Sequence, residues 1–140
     1  MKELFEKLLT AIWGENDSDV DEQQNRKGVA IAVLLVDIAL VDNEFDPKEH
    51  EWVIKLLMSF LSLSRDRAYE LLDKATDIVE TNRDPEAYAV YLRDTIPATE
   101  RESIVELLDE IVKADHDKDH FELRLRERYQ ELLGVKVSAN

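Results

Sequence analysis

The stretch Leu34-Leu35-Val36-Asp37-Ile38-Ala39-Leu40-Val41-Asp42-Asn43-Glu44-Phe45-Asp46-Pro47-Lys48-Glu49 decides the fold. Its first half closes an apolar run, Val29 to Val41, in which Asp37 is the one charged residue. A helix that is apolar all round is buried all round, so residues from about 26 to 42 are expected to form a central helix. Asp46-Pro47-Lys48-Glu49 then supplies an N-cap, a proline at the first helical position and an acid at N3. One buried helix, a short polar turn and the start of a second helix are thus written into sixteen residues.

Working outward, apolar residues keep returning at helical spacing. The second helix is expected to run to about Leu61, with Trp52, Val53, Leu56, Leu57 and Phe60 inward. Ser64 reads as the N-cap of a helix through Ala68, Leu71, Leu72, Ala75, Ile78 and Val79. Asp84-Pro85-Glu86 opens a short helix through Tyr88, Tyr91 and Leu92, and Thr99 caps another through Ile104, Leu108 and Val112. Asp119 starts the last, through Leu125, Tyr129 and Leu133, with Gly134 as its stop. At the other end Leu4, Phe5, Leu8, Leu9, Ile12 and Trp13 form one stripe on a helix ended by Gly14. Glu15 to Lys27 reads as a polar loop that turns helical near its end. Only three glycines and three prolines interrupt the chain, and no stretch alternates with period two. The expected fold is all-α: about seven helices in a single compact bundle over residues 1–140. Residues 1–25 would be an N-terminal amphipathic helix and polar loop, and 26–135 a core containing a repeat.

That repeat is a self-match at an offset of 73 residues. Leu34–Glu49 lies over Leu107–Glu122 with six of the 16 columns identical, where composition alone would give about one. Three identities are apolar; the others are Asp42/Asp115, Asp46/Asp119 and Glu49/Glu122. Asp37/Glu110 and Glu44/Asp117 keep the acid without identity.

The shared D-x-[DE]-x-D-x-x-E pattern has two readings. Acids at alternate positions of an interhelical turn, with a Glu one turn into the next helix, converge as hard cations such as Ca²⁺ or Mg²⁺ require. The spacing is not that of an EF-hand, because Pro47 and Val53 stand where its glycine and bidentate glutamate belong. Alternatively Asp46, Glu49, Asp119 and Glu122 are simply helix caps. Capping leaves Asp42, Glu44, Asp115 and Asp117 unexplained, since they crowd charge at helix C-termini, where the dipole disfavours it. The candidate metal ligands are therefore Asp42, Glu44, Asp46, Glu49, Asp115, Asp117, Asp119 and Glu122, with Asp37 and Glu110 in a second tier.

The chain carries 32 acidic against 18 basic side chains, a net charge of −14, and each eight-residue turn contributes −3 of it. Such a field repels phosphate backbones, so nucleic acid is excluded as a partner. No run approaches the ~20 apolar residues of a spanning helix, so no membrane insertion is expected. Without cysteine there is no disulfide, thiolate nucleophile or zinc knuckle. The chain reads as a cytoplasmic domain.

The turn Val41-Asp42-Asn43-Glu44-Phe45-Asp46-Pro47-Lys48-Glu49 resembles the A-D-G-E-x-D-x-x-E signature of the TerB-like family. These are tellurite-resistance-type proteins, related to the N-terminal region of DjlA-type co-chaperones. Ala114–Glu122 and Leu132-Leu133-Gly134-Val135 resemble the family's second copy, and the likeness runs from about residue 26 to 135. It implies a bundle of about seven helices with pseudo-twofold repeats, an acidic surface for divalent metal, and a role associated with tellurite or stress resistance. The family's acidic columns fall on the eight first-tier residues, all still acidic. Asn43 and His116 replace its usual glycine.

Other chemistry is weaker. His116 and His120 stand four apart beside acids, a pattern open to Zn²⁺, but they align with Asn43 and Pro47 and so lie outside the repeat. Asp37, within the apolar run, is expected to have a perturbed pKa, either paired with a base such as Arg101 or Lys55 or serving chemistry. The leading reading is a non-enzymatic domain whose acidic turns bind a divalent cation or a protein partner. The alternatives are a metal-dependent hydrolase using the same carboxylates and a purely structural interaction module. The N-terminal stripe reads as the face of a core helix or as a docking helix.

Overall fold

Seven successive residues, Ala30 to Val36, are fully buried, so every face of one helix is covered. The structure, a computed structural model, describes residues 16–40, 47–114 and 120–136. These residues form six helices and no strand: α1 (Asn16–Leu40), α2 (Pro47–Leu61), α3 (Arg65–Glu80), α4 (Pro85–Thr95), α5 (Ala98–Ala114) and α6 (His120–Leu132). The all-α expectation holds. The expected amphipathic helix over residues 1–14 lies outside the described residues. One expectation is corrected: Asn16 onward is helical, and the polar loop before residue 26 is not one. Its Glu22, Gln23, Gln24, Arg26 and Lys27 are good helix formers, and polarity alone does not make a loop.

Helix α1 is the axis of the bundle, touched by each of the other five. Gly28 sets its distance from α3, since a Cβ there would stand 2.8 Å from Leu71 Cδ1. The turns between helices follow their chemistry. Ser64 caps α3 as expected, its Oγ accepting from the Arg67 amide at 3.2 Å. Asp84 precedes Pro85 with φ of 50°, a left-handed conformation that aspartate tolerates better than most residues. Helix α5 begins at Ala98, directly after Pro97, so Thr99 lies inside the first turn rather than capping it. Gly134, at φ of 71°, ends α6 as expected, with its amide donating to Glu131 and that of Val135 to Gln130.

Helix direction follows from the contacts. The start of α4 (Pro85, Glu86) borders Asp37, while Tyr88 and Tyr91 border Asn25 and Arg26, so α4 runs back along α1. At the far end Lys27 pairs with Glu100. Helix α6 returns antiparallel to α5, with Arg126 on Asp109 and Arg101 Nη1 donating to the Leu133 carbonyl at 2.9 Å. Helix α5 therefore runs parallel to α1, and Lys27 and Glu100 are equivalent positions of the 73-residue repeat.

Candidate functional site

Parallel α1 and α5 in equal register bring their C-terminal ends, Leu40 and Ala114, to the same end of the bundle. These are the ends from which the two acidic stretches leave. Six of the first-tier acids, Asp42, Glu44, Asp46, Asp115, Asp117 and Asp119, lie outside the described residues. Of the remainder, Glu49 is half-buried in the first turn of α2 and Glu122 is fully buried in the first turn of α6.

The second-tier pair is placed by reciprocal contacts. Trp52 Nε1 of α2 reaches the Glu110 carbonyl of α5 at 3.4 Å. Shifted by the repeat, Trp52 becomes Leu125 and Glu110 becomes Asp37, and these two residues line one cleft between α6 and α1. Each half thus lays the start of its second helix against the end of the other half's first helix. The Glu110 side chain itself is solvent-facing, 4.0 Å from Lys113. The interior of the repeat differs: Asp109 and Arg126 form a two-pronged ion pair at 2.6 and 3.2 Å. Their equivalents, Val36 and Val53, are both fully buried apolar residues.

Asp37 has a different partner from the one expected. Neither Arg101 nor Lys55 reaches it; the buried Tyr129 hydroxyl of α6 donates to its carboxylate. Arg101 spends a guanidinium nitrogen on the Leu133 carbonyl, and Lys55 is exposed. Burial pushes the Asp37 carboxyl above its ordinary range, the Tyr129 hydrogen bond opposes that, and the Glu86 charge adds to it. Burial likewise raises Tyr129, with Asp37 adding to the effect. The sequence expectation of a perturbed Asp37 holds, with the sign set by desolvation.

Asp37 opens onto a cleft of about 490 Å³ that it shares with Asn82, Asp84, Pro85, Glu86 and Leu125. Sequence reasoning took Asp84 and Glu86 as a helix start only, because their approach to Asp37 depends on α4 doubling back along α1. Glu86 is balanced by Arg128, whose guanidinium grips both its oxygens at 3.1 and 3.2 Å. Among the described residues, no three His, Asp or Glu side chains converge as metal ligands. A cation cage at this end needs acids from 42–46 and 115–119. Its donors would all be carboxylate oxygens, the set that Ca²⁺ and Mg²⁺ prefer.

Comparison with known proteins agrees with this architecture. No curated protein matches the chain. Among solved structures, a protein of unknown function from Porphyromonas gingivalis shares the fold, with a TM-score of 0.61 and 21% identity over 81% of each chain. At that identity the likeness is one of fold alone. Residues 28–139, from the buried half of α1 past the end of α6, match the family described as Tellurite resistance protein TerB. The chain therefore belongs to the TerB family.

Proposed function

We propose that this chain is a non-enzymatic TerB-family domain whose acidic stretches, Asp42–Glu49 and Asp115–Glu122, together bind divalent cation, Ca²⁺ or Mg²⁺, at one end of the bundle. The observation that carries the proposal is the parallel register of α1 and α5, which sends both stretches from the same end. Carboxylates drawn together repel one another strongly, and a hard cation relieves that repulsion while satisfying the oxygens. An acidic end neutralised in this way would also present a cation-dependent face to a protein partner, which fits an association with tellurite or stress resistance.

Metal and capping roles separate by one substitution. Asn caps a helix about as well as Asp but removes a charge the cation needs. Asp46→Asn with Asp119→Asn should leave the thermal midpoint in chelator nearly unchanged and abolish the rise that millimolar Ca²⁺ gives the wild-type chain. A wild-type midpoint that ignores Ca²⁺ and Mg²⁺ overturns the reading.

The hydrolase reading has one observation in its favour, a carboxyl with raised pKa (Asp37) facing a cleft with Asp84 and Glu86. It competes poorly, because Asp37 is already engaged by Tyr129 and Glu86 by Arg128. Turnover of phosphate or acyl esters that is lost in Asp37→Asn would favour it instead.

A further inference from the structure

We propose that the cleft beside Asp37 docks a basic, amphipathic segment of a partner protein, with one arginine entering between Asp37 and Asp84 and an apolar neighbour lying on Leu125 and Phe121. The repeat shows what the cleft lacks. In the first half the Trp52 indole crosses from α2 to the Glu110 carbonyl of α5. The second half puts Leu125 and Asp37 at those two places, and a leucine is much smaller than an indole and has no N–H to give. What a tryptophan spans in one half is left open in the other, as a cleft of about 490 Å³.

Charge and shape together commit the occupant. The lining holds three acids, Asp37, Asp84 and Glu86, and, among the described residues, no base. Arg128 balances Glu86 and Tyr129 takes Oδ2 of Asp37, so Oδ1 of Asp37 and the Asp84 carboxylate are the acceptors a ligand meets. Asp84 precedes α4 without capping it, since its exposed side chain makes no hydrogen bond to that helix end. The other wall is apolar. Pro85 and Leu125 line it, and Phe121, one turn before Leu125 on the same face of α6, is 60% exposed. The equivalent of Phe121 in the first half is Lys48, so this apolar rim belongs to the second half alone. A guanidinium suits such a site, being planar, rich in donors for carboxylates and carried on an apolar stem. The net charge of −14 draws a cationic segment in and repels an acidic peptide or an anionic membrane. None of the cleft's carboxylates belongs to Asp42–Glu49 or Asp115–Glu122, so the inference stands apart from cation binding at those stretches.

The probe is a capped hexapeptide of alternating arginine and leucine, titrated calorimetrically into the full chain with EDTA present at physiological ionic strength. It should bind saturably, one peptide to one chain. Leu125→Trp, which copies the first half and fills the cleft, should weaken binding by about tenfold or more. Asp84→Asn should weaken it by about tenfold and leave the thermal midpoint unchanged, because the Asp84 side chain caps nothing. That exposed position keeps the test decisive should Leu125→Trp fail to fold. Asp73→Asn, an equal loss of charge on the exposed side of α3, and Asp46→Asn/Asp119→Asn should both bind as wild type does. Absence of saturable binding overturns the proposal. So does a loss as large in Asp73→Asn or in the double asparagine variant, which would mark general attraction to an acidic chain. A peptide of alternating arginine and glycine that binds as tightly overturns it equally, since the apolar wall would then contribute nothing.

Discussion

The Tyr129 hydroxyl donates a hydrogen bond to the Asp37 carboxylate, tying the middle of α6 to the end of the central helix. Tyr129 is fully buried and Asp37 half-buried, and Asp37 holds its proton more tightly than an ordinary aspartate. The folded state thus binds a proton more readily than the unfolded state, and this contribution to stability is complete below the unfolded pKa of about 3.9. It is lost as pH rises through the raised folded value.

Asp37→Asn keeps an acceptor for Tyr129 and removes the titrating charge. Its thermal midpoint should equal or exceed that of wild type at pH 7, by about 3 °C for each kcal/mol recovered, and the gain should shrink toward pH 4. Tyr129→Phe should lose about 1–2 kcal/mol, because Asp37 then keeps its burial without its donor. Thermal melts across pH 4–8 check both.

Gly28 faces Leu71 across the α1–α3 contact. Gly28→Ala gains about 1 kcal/mol of helix propensity but must push a buried leucine, at about 1–3 kcal/mol. We expect a net loss of about 1 kcal/mol in urea unfolding. Combining it with Leu71→Ala should cost less than the sum of the two single changes, because the second creates the space the first needs.

Ser64→Ala removes the side-chain acceptor of the Arg67 amide at the start of α3. The expected cost is about 1 kcal/mol, and Ser64→Asp should restore it in the same denaturation experiment.

The reach of sequence reasoning can be traced residue by residue. Helix α1 was legible because an all-round apolar run has one stable location, and the cap at Ser64, the helix start at Pro85 and the stop at Gly134 were legible because their chemistry is local. The repeat matched Leu34–Glu49 with Leu107–Glu122 before any geometry was known. What escaped was long-range: that Asp37 meets Tyr129 rather than Arg101, and that α4 carries Asp84 and Glu86 to it. No local pattern encodes a partner 92 residues away. The start of α1 escaped for another reason, since polar helix formers between Asn16 and Lys27 carry no burial signal.

Trp52 offers the most direct test of the central claim, that both acidic stretches hold cation at one end. It lies in the second turn of α2, just after the first stretch, and its indole reaches α5 just before the second. Terbium bound there should be sensitised by tryptophan excitation. The account predicts saturable terbium emission that millimolar Ca²⁺ displaces, and that is lost both in Trp52→Phe and in Asp46→Asn/Asp119→Asn. Emission that never saturates, resists Ca²⁺, or survives the double asparagine variant would contradict it.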